Sequence, residues 1–273
     1  MNKYSITSYA QNFEDILLYR CFKDIEKGFY IDVGSMDPVN DSVTNLFYDI
    51  GWSGINIEAS KKYFELISSY RKRDLNIFAL ASSKTGKRTF YDLENGLSSA
   101  IKPKSEFYNK TEIKSTTLDV IFNKAPADIH FLKIDVEGYE FDVLEGWKKS
   151  QKRPWVIIVE NNYKTDNEVH QFLKHRDYSK VYFDGINSFY IHQNHVKRLS
   201  VNFHYPVGVQ DSFRIHPYSS NSWCHYLSDE INQLKHEKTI LENKCDALKL
   251  EIKKIKKKSL WNLLIRKIYD YRK

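Results

Sequence analysis

The chain reads as an α/β protein: a doubly wound, mainly parallel sheet that ends in an antiparallel hairpin, followed by a C-terminal coiled-coil helix. Three observations predict this. Short apolar runs alternate with amphipathic stretches from about residue 28 onward, the pattern of right-handed βαβ units. The turn signal Asp184-Gly185-Ile186-Asn187 separates the last two apolar runs, as in a β-hairpin. From Leu227 the apolar positions recur every seven residues, as in the seam of a coiled coil.

The elements follow in order. Phe29-Tyr30-Ile31-Asp32-Val33-Gly34 is a buried strand ending in a glycine turn. Asp41 or Ser42 is placed to cap a helix whose apolar face uses Val43, Leu46, Phe47 and Ile50, closed by Gly51. Residues 54–58 form a second strand, and a helix around 62–70 leads to a third over 76–80. A small β excursion near 88–91 and a helix near 118–122 precede the strongest core strand, 129–135. Val136-Glu137-Gly138 then turns into a helix running through Leu144. A fifth strand over 155–160, a helix over 168–174 and the hairpin strands 180–183 and 188–191 complete the sheet. A late antiparallel strand marks the class I methyltransferase variant of the Rossmann-like fold, rather than the six-parallel-strand dehydrogenase form.

Charge is distributed unevenly. Residues 253–273 hold nine Lys/Arg against one acid, Asp270, a net +8 within a chain total of +7. The preceding 252 residues are therefore near neutrality, which argues against a nucleic-acid surface on the folded domain. The aromatics are numerous (19 Tyr, 16 Phe and 5 Trp); such side chains build cores and also line ring-binding clefts. Cys21, Cys224 and Cys245 are too few and scattered for a disulfide framework or a zinc knuckle, which suits a reducing compartment. Residues 1–5 lead into no apolar leader segment, and no run approaches the ~20 apolar residues of a membrane span. The expected location is the cytoplasm.

In an open parallel sheet, ligands bind beyond the carboxyl ends of the strands. The first strand delivers Asp32-Val33-Gly34-Ser35-Met36-Asp37-Pro38. The glycine fingerprint of a pyrophosphate site is absent, which counts against NAD. A sulfonium with an amino-acid tail needs only one tight turn and nearby carboxylates, which Asp32 and Asp37 supply. Glu58 ends the second strand, where a carboxylate can accept both hydroxyls of a ribose. The small residues Leu80-Ala81-Ser82 end the third, leaving room for an adenine ring. The fourth and fifth strands bring Asp135 and Glu137, then Glu160 and Asn161. One of these acids is expected to take a proton from an acceptor hydroxyl, since clustered carboxylates raise one another's pKa. Asp135, Glu160 and Asn161 also make an oxygen-rich set suited to a divalent metal such as Mg²⁺. No H-E-x-x-H, no G-x-S-x-G elbow and no Asn-Pro-Pro-Tyr signature occurs.

Several segments together resemble the FkbM-type methyltransferases: Ser8-Tyr9-Ala10-Gln11-Asn12-Phe13-Glu14-Asp15, Gly28–Gly34, Gly51-Trp52-Ser53-Gly54-Ile55-Asn56-Ile57-Glu58, His130–Gly138 and Val181-Tyr182-Phe183-Asp184-Gly185. The likeness spans roughly residues 5–215. It implies S-adenosylmethionine as donor and a hydroxyl as acceptor, on a sugar of a bacterial surface glycan. It also implies that Gln11 and Glu14, and the Gly96-Leu97-Ser98 turn through Ser98, close over the cofactor beside Asp32, Gly34, Ser35, Asp37, Glu58 and Ala81. Met36 stands where this subgroup usually has Asn. That departure is the one sequence support for an alternative reading, a catalytically inactive scaffold in a glycan-assembly complex.

The domain plan is then 1–215 for the methyltransferase domain, 216–225 for a linker, 226–258 for a coiled coil and 259–273 for a basic amphipathic tail. In the heptad, Ile231, Lys238, Cys245 and Ile252 occupy a, and Leu227, Leu234, Leu241, Leu248 and Ile255 occupy d. A parallel dimer would pair Glu230 with Lys235 and Glu251 with Lys256, but would oppose Glu237 to Glu242 and Lys244 to Lys249. Orientation is left open by this pattern. The tail, with Trp261, Leu263, Leu264 and Ile265 after a lysine cluster, reads as a surface anchor at the inner face of the membrane or as a partner-binding helix.

Overall fold

The computed structural model describes residues 6–93, 100–101, 108–161, 165–221, 233–249, 252 and 267. Its elements run β1 (Ile6–Ser8), α1 (Glu14–Phe22), β2 (Phe29–Val33), α2 (Asn45–Asp49), β3 (Ser53–Glu58), α3 (Lys61–Tyr70), β4 (Leu75–Phe78), β5 (Leu80–Ala81), β6 (Gly86–Asp92) and β7 (Asn109–Thr116). They continue with α4 (Leu118–Lys124), β8 (Phe131–Ile134), α5 (Glu140–Glu145), β9 (Val156–Glu160), α6 (Asp166–Lys174), β10 (Tyr178–Phe183), β11 (Asn187–His192), α7 (Gln193–Leu199) and β12 (Phe213–Ile215).

A seven-stranded sheet has the order β10-β11-β9-β8-β2-β3-β4. β11 is antiparallel to both neighbours, while β9, β8, β2, β3 and β4 are mutually parallel. The order reverses between β2 and β8, so their carboxyl ends diverge into a crevice. This is the mainly parallel sheet with a terminal antiparallel hairpin that the apolar runs predict. Gly185 takes φ +105 in the hairpin turn, a region open to glycine at no steric cost.

Alternation along the strands makes two cores. Ile31, Val33, Leu132, Ile134, Ile157 and Val159 face α4, α5 and α6, with Phe122 and Trp147 among them. Tyr30, Phe131, Val156 and Ile158 face the other way, onto Phe22, Phe47, Trp52 and Leu199 of the α1, α2 and α7 side. Each fully buried large apolar side chain contributes about 1.5–3 kcal/mol, so the two faces fix strand register firmly.

Four features depart from the expected plan. The segment before residue 28 is not featureless: Ile6–Ser8 pairs in parallel with Phe213–Ile215, and Glu14–Phe22 is a helix. The expected third strand divides, Leu75–Phe78 staying in the main sheet while Leu80–Ala81 joins β7 in a second, three-stranded sheet. α2 begins later than expected, with Thr44 at its N-cap and no side-chain cap. Neither Asp41 nor Ser42 caps it: Asp41 accepts from the Ser220 backbone N–H and hydroxyl, and Ser42 lies against Arg71. Finally, residues up to Ser222 belong to the first compact unit, because His216, Ser219 and Ser220 bond back to residues 8, 10 and 41.

The second unit is Trp223–Lys273. Within it residues 233–249 are helical, as the heptad predicts. The expected anchor at 259–273 lies, apart from Lys267, outside the described residues.

Candidate active site

A cavity of about 290 Å³ opens at the carboxyl ends of β2, β3, β5 and β8. Its wall includes Gln11, Asp32, Gly34, Ser35, Glu58, Ala81, Asp135 and Glu137, eight of the residues expected from the sequence. The turn after β2 is its floor. Gly34 sits at φ +80, and a Cβ there would lie 1.8 Å from the Asp135 carbonyl oxygen. No other residue fits between the first and fourth strands at that point.

The Asp32 carboxylate is buried. Its Oδ2 accepts from Thr44 Oγ1 at 2.9 Å, and its Oδ1 makes no hydrogen bond among the described residues, with Lys133 Nζ 3.6 Å away. Burial lifts its pKa, opposed by Lys133 and the Thr44 hydroxyl. Glu58 accepts the backbone N–H groups of Met36 at 2.8 Å and Ser60 at 2.7 Å. Burial raises it too, against those two bonds. Met36 itself is held at φ +48; its N–H, rather than its side chain, does the work of tying the turn to Glu58.

Lys133 lies within the His130–Gly138 segment, and the structure gives it a role. Its ammonium lies 3.2 Å from Asp135 Oδ2, 3.6 Å from Asp32 Oδ1 and 3.2 Å from the Gly34 carbonyl oxygen. Burial pulls its pKa down, but Asp135 and Asp32 overcome this and hold it charged. A lysine inside the apolar run Phe131–Ile134 must have such partners, since a buried charge needs them; that was the available signal.

The acids at the ends of β8 and β9 form one electrostatic group. Glu137 is half-buried at φ +56 on the cavity wall, and burial, then Asp135 and Glu140, push its pKa up to about 7. Glu160 is raised to about 8 by burial, by the charges of Asp135, Glu137 and Glu140, and by a hydrogen bond with Asp135. Glu160 does not line the cavity; its carboxyl group is hydrogen-bonded to Asp135, which does. Glu140, which the sequence reading did not single out, is fully buried and accepts the backbone N–H groups of Val136 and Gly138. It holds the strained turn that presents Glu137.

Two expected cofactor contacts are placed elsewhere. Asp37 accepts the N–H groups of Val39 and Asn40 and shapes the loop instead of lining the cavity. Glu14 is buried, accepting from the Asn12 N–H and the Asn187 side-chain amide, and so locks the N-terminal segment to the hairpin. Gln11 does reach the cavity wall. Ser98 lies outside the described residues. The loop residues Asn40–Val43, Tyr63 of α3 and Phe90 of β6 also line the cavity; no local pattern in the sequence announces them. The loop is braced from within by Arg71, wholly buried, which donates to Pro38 O, Ser42 Oγ, Thr44 O and Tyr30 Oη.

The donor set fits an adenosyl sulfonium. Asp32 Oδ1 and Ser35 Oγ are buried polar atoms on the cavity wall without hydrogen bonds among the described residues, and Glu58 keeps further lone pairs for hydroxyl donors. Among the described residues, no group of three or more His, Cys, Asp or Glu is arranged to hold a metal ion. Of the expected set Asp135, Glu160 and Asn161, the first is paired with Lys133 and hydrogen-bonded to the second.

Residues 32–180 match the profile of the Methyltransferase FkbM domain. Among solved structures, the chain is similar to a precorrin-6y C5,15-methyltransferase from Geobacter metallireducens. That likeness has 13% identity, a TM-score of 0.35, and covers 65% of this chain and 86% of that one. A putative RNA methyltransferase from Pyrococcus horikoshii is similar at 9% identity and a TM-score of 0.36, covering 66% and 81%. No curated protein matches. No helix among the described residues is long and apolar enough to cross a membrane.

Proposed function

This chain belongs to the FkbM methyltransferase family, and from that premise we propose that it is an O-methyltransferase acting on a sugar hydroxyl of a bacterial surface glycan. S-adenosylmethionine, as the family implies, supplies an electrophilic methyl group when bound. Asp32, Gly34, Ser35 and Glu58 would hold it, with Ala81 and Gln11 on the walls. One observation carries the oxygen-directed reading: a half-buried carboxylate, Glu137, stands on the cavity wall with its pKa raised to about 7. A hydroxyl is a poor nucleophile until a base receives its proton, and a base works best when its pKa lies near the working pH.

The remaining residues serve that base. Lys133 keeps Asp135 paired, while burial and then the charges of Asp135 and Glu140 raise Glu137. Glu140 fixes its backbone. The sugar acceptor and the glycan setting rest on the family resemblance; a cytoplasmic site of action rests on the few scattered cysteines, and its place beside the inner membrane face on the lysine-rich tail. The scaffold reading gains nothing from Met36, whose backbone makes the turn bond to Glu58.

The test pairs calorimetry with an acceptor screen. S-adenosylmethionine is expected to bind at micromolar concentration and to lose at least about tenfold in affinity in Glu58→Ala, a charge-assisted contact being worth ~1.5–3 kcal/mol. Mass spectrometry and NMR of glycan acceptors should then place the new methyl on oxygen. Tight binding without transfer to any hydroxyl would return the scaffold reading; no binding would remove the proposal.

A further inference from the structure

The helix over residues 233–249 is exposed on every side, including its heptad seam. Leu234, Leu241 and Leu248 are 57, 61 and 56% exposed, and Cys245 is exposed as well. Three leucines at seven-residue spacing form an apolar stripe that water disfavours and another helix would cover. We propose that this stripe pairs with that of a second copy of the chain, and that the two helices run antiparallel with Lys238 opposite Leu241.

Charge complementarity selects both orientation and register. In a parallel pair, g residues face e residues five positions on. Glu237 then meets Glu242 and Lys244 meets Lys249, each twice by symmetry, and Lys238 meets its own copy in the core. In an antiparallel pair, g faces g and e faces e. With Lys238 opposite Leu241, Glu237 faces Lys244 and Lys235 faces Glu242, each twice, with no like-charge contact within residues 233–246. Leu234 packs on Cys245, and Leu241 covers the aliphatic stem of Lys238, whose ammonium can reach water. Sliding the pair by one heptad step, so that Lys238 meets Leu248, sets Lys235 against Lys249 and brings Glu242 and Lys244 against their own copies. Within residues 233–249, only the first arrangement satisfies the charges over two heptads of overlap.

The arrangement is tested on the full chain by sedimentation and by disulfide trapping. A dimer is expected at tens of micromolar. Lys244→Glu turns two attractive contacts repulsive and should weaken it roughly tenfold; the parallel pair predicts tightening instead. Glu237→Lys combined with Lys244→Glu should restore the parent affinity. In a Cys224→Ser background, Leu234→Cys should form an interchain disulfide with Cys245 of the second copy under mild oxidation. Cys245 alone, and Leu234→Cys with Cys245→Ser, should not, since like positions are then about 16 Å apart along the axis. A monomer, a Lys244→Glu dimer as tight as the parent, or a disulfide through Cys245 alone would overturn the proposal.

Discussion

The two ends of the same parallel strands are finished in opposite ways. At the amino ends, His130 accepts the Phe29 N–H at 3.0 Å and lies among Phe22, Trp52 and Trp155, at ring separations of 4.5–5.8 Å. Every feature there closes packing. At the carboxyl ends the same strands leave Asp32 Oδ1 and Ser35 Oγ without hydrogen bonds among the described residues, hold Glu137 at a positive φ, and set Asp32 and Asp135 against Lys133. Buried polarity is costly unless paired, so a fold keeps such an end only where a ligand completes it. The difference teaches where to look for chemistry: at the unfinished end of the sheet, and not simply wherever a titratable side chain is buried.

The sharpest break of that contrast is Glu137→Gln. It keeps the shape and removes the proton acceptor, so kcat should fall about 10²–10⁴-fold while affinity for S-adenosylmethionine is unchanged. In the parent, kcat should rise with pH through about 7, where Glu137 ionises, and level off above it. The variant's residual rate should lose that rise. A pH–rate profile with single-turnover kinetics checks both. An unaltered rate would move the base elsewhere and leave the carboxylate cluster a structural feature.

Glu14 tests whether unfinished electrostatics can also be structural. It is buried, and burial raises its pKa to about 8 against the bonds it accepts. A carboxyl raised by folding stabilises the native state below its unfolded pKa, near 4.5, and loses that contribution as pH rises through about 8. The parent should therefore lose on the order of 2–4 kcal/mol from this group between pH 5 and 9. Glu14→Gln should flatten that slope in denaturant titrations at several pH values. An unchanged slope would show that Glu14 stays ionised and fully solvated by its partners.

The sequence exposed the parallel sheet and its carboxyl-end residues because both are periodic signals: strands declare themselves by apolar runs, and Gly34, Glu58 and Asp135 stand at the ends of those runs. It did not expose contacts made across distance. Arg71 looks like any helix-terminal arginine until its guanidinium is seen against Pro38, Ser42 and Thr44. Lys133 is plain in its motif, yet two of its partners, Asp32 and the Gly34 carbonyl, come from β2 and the turn after it, far away in the chain. Glu14 and Asp37 show the reverse. Each stands in a segment the sequence singles out, but Asp37 accepts the nearby N–H groups of Val39 and Asn40, and Glu14 is held by the Asn12 N–H and the distant Asn187 side-chain amide, contacts that residue identity does not fix. The helix at 14–22 gives no amphipathic signal in the sequence because its first turn, Glu14 and Asp15, is polar and buried.

The smallest expected effect comes from the finished end. His130→Ala leaves the Phe29 N–H without its acceptor and opens space beside Trp52 and Trp155. The cost should be about 1–3 kcal/mol for the unsatisfied donor, read as a lower denaturation midpoint. Activity should be untouched, because nothing at that end reaches the cavity. The parent itself should weaken slightly in acid: burial lowers the His130 pKa, so this group's contribution is present above its unfolded pKa, near 6.5, and fades as pH falls below it. Protonated imidazole has no lone pair for Phe29. If His130→Ala instead reduced kcat while leaving stability intact, the two ends would be coupled through β8, and the division between a packed end and a reactive end would have to be abandoned.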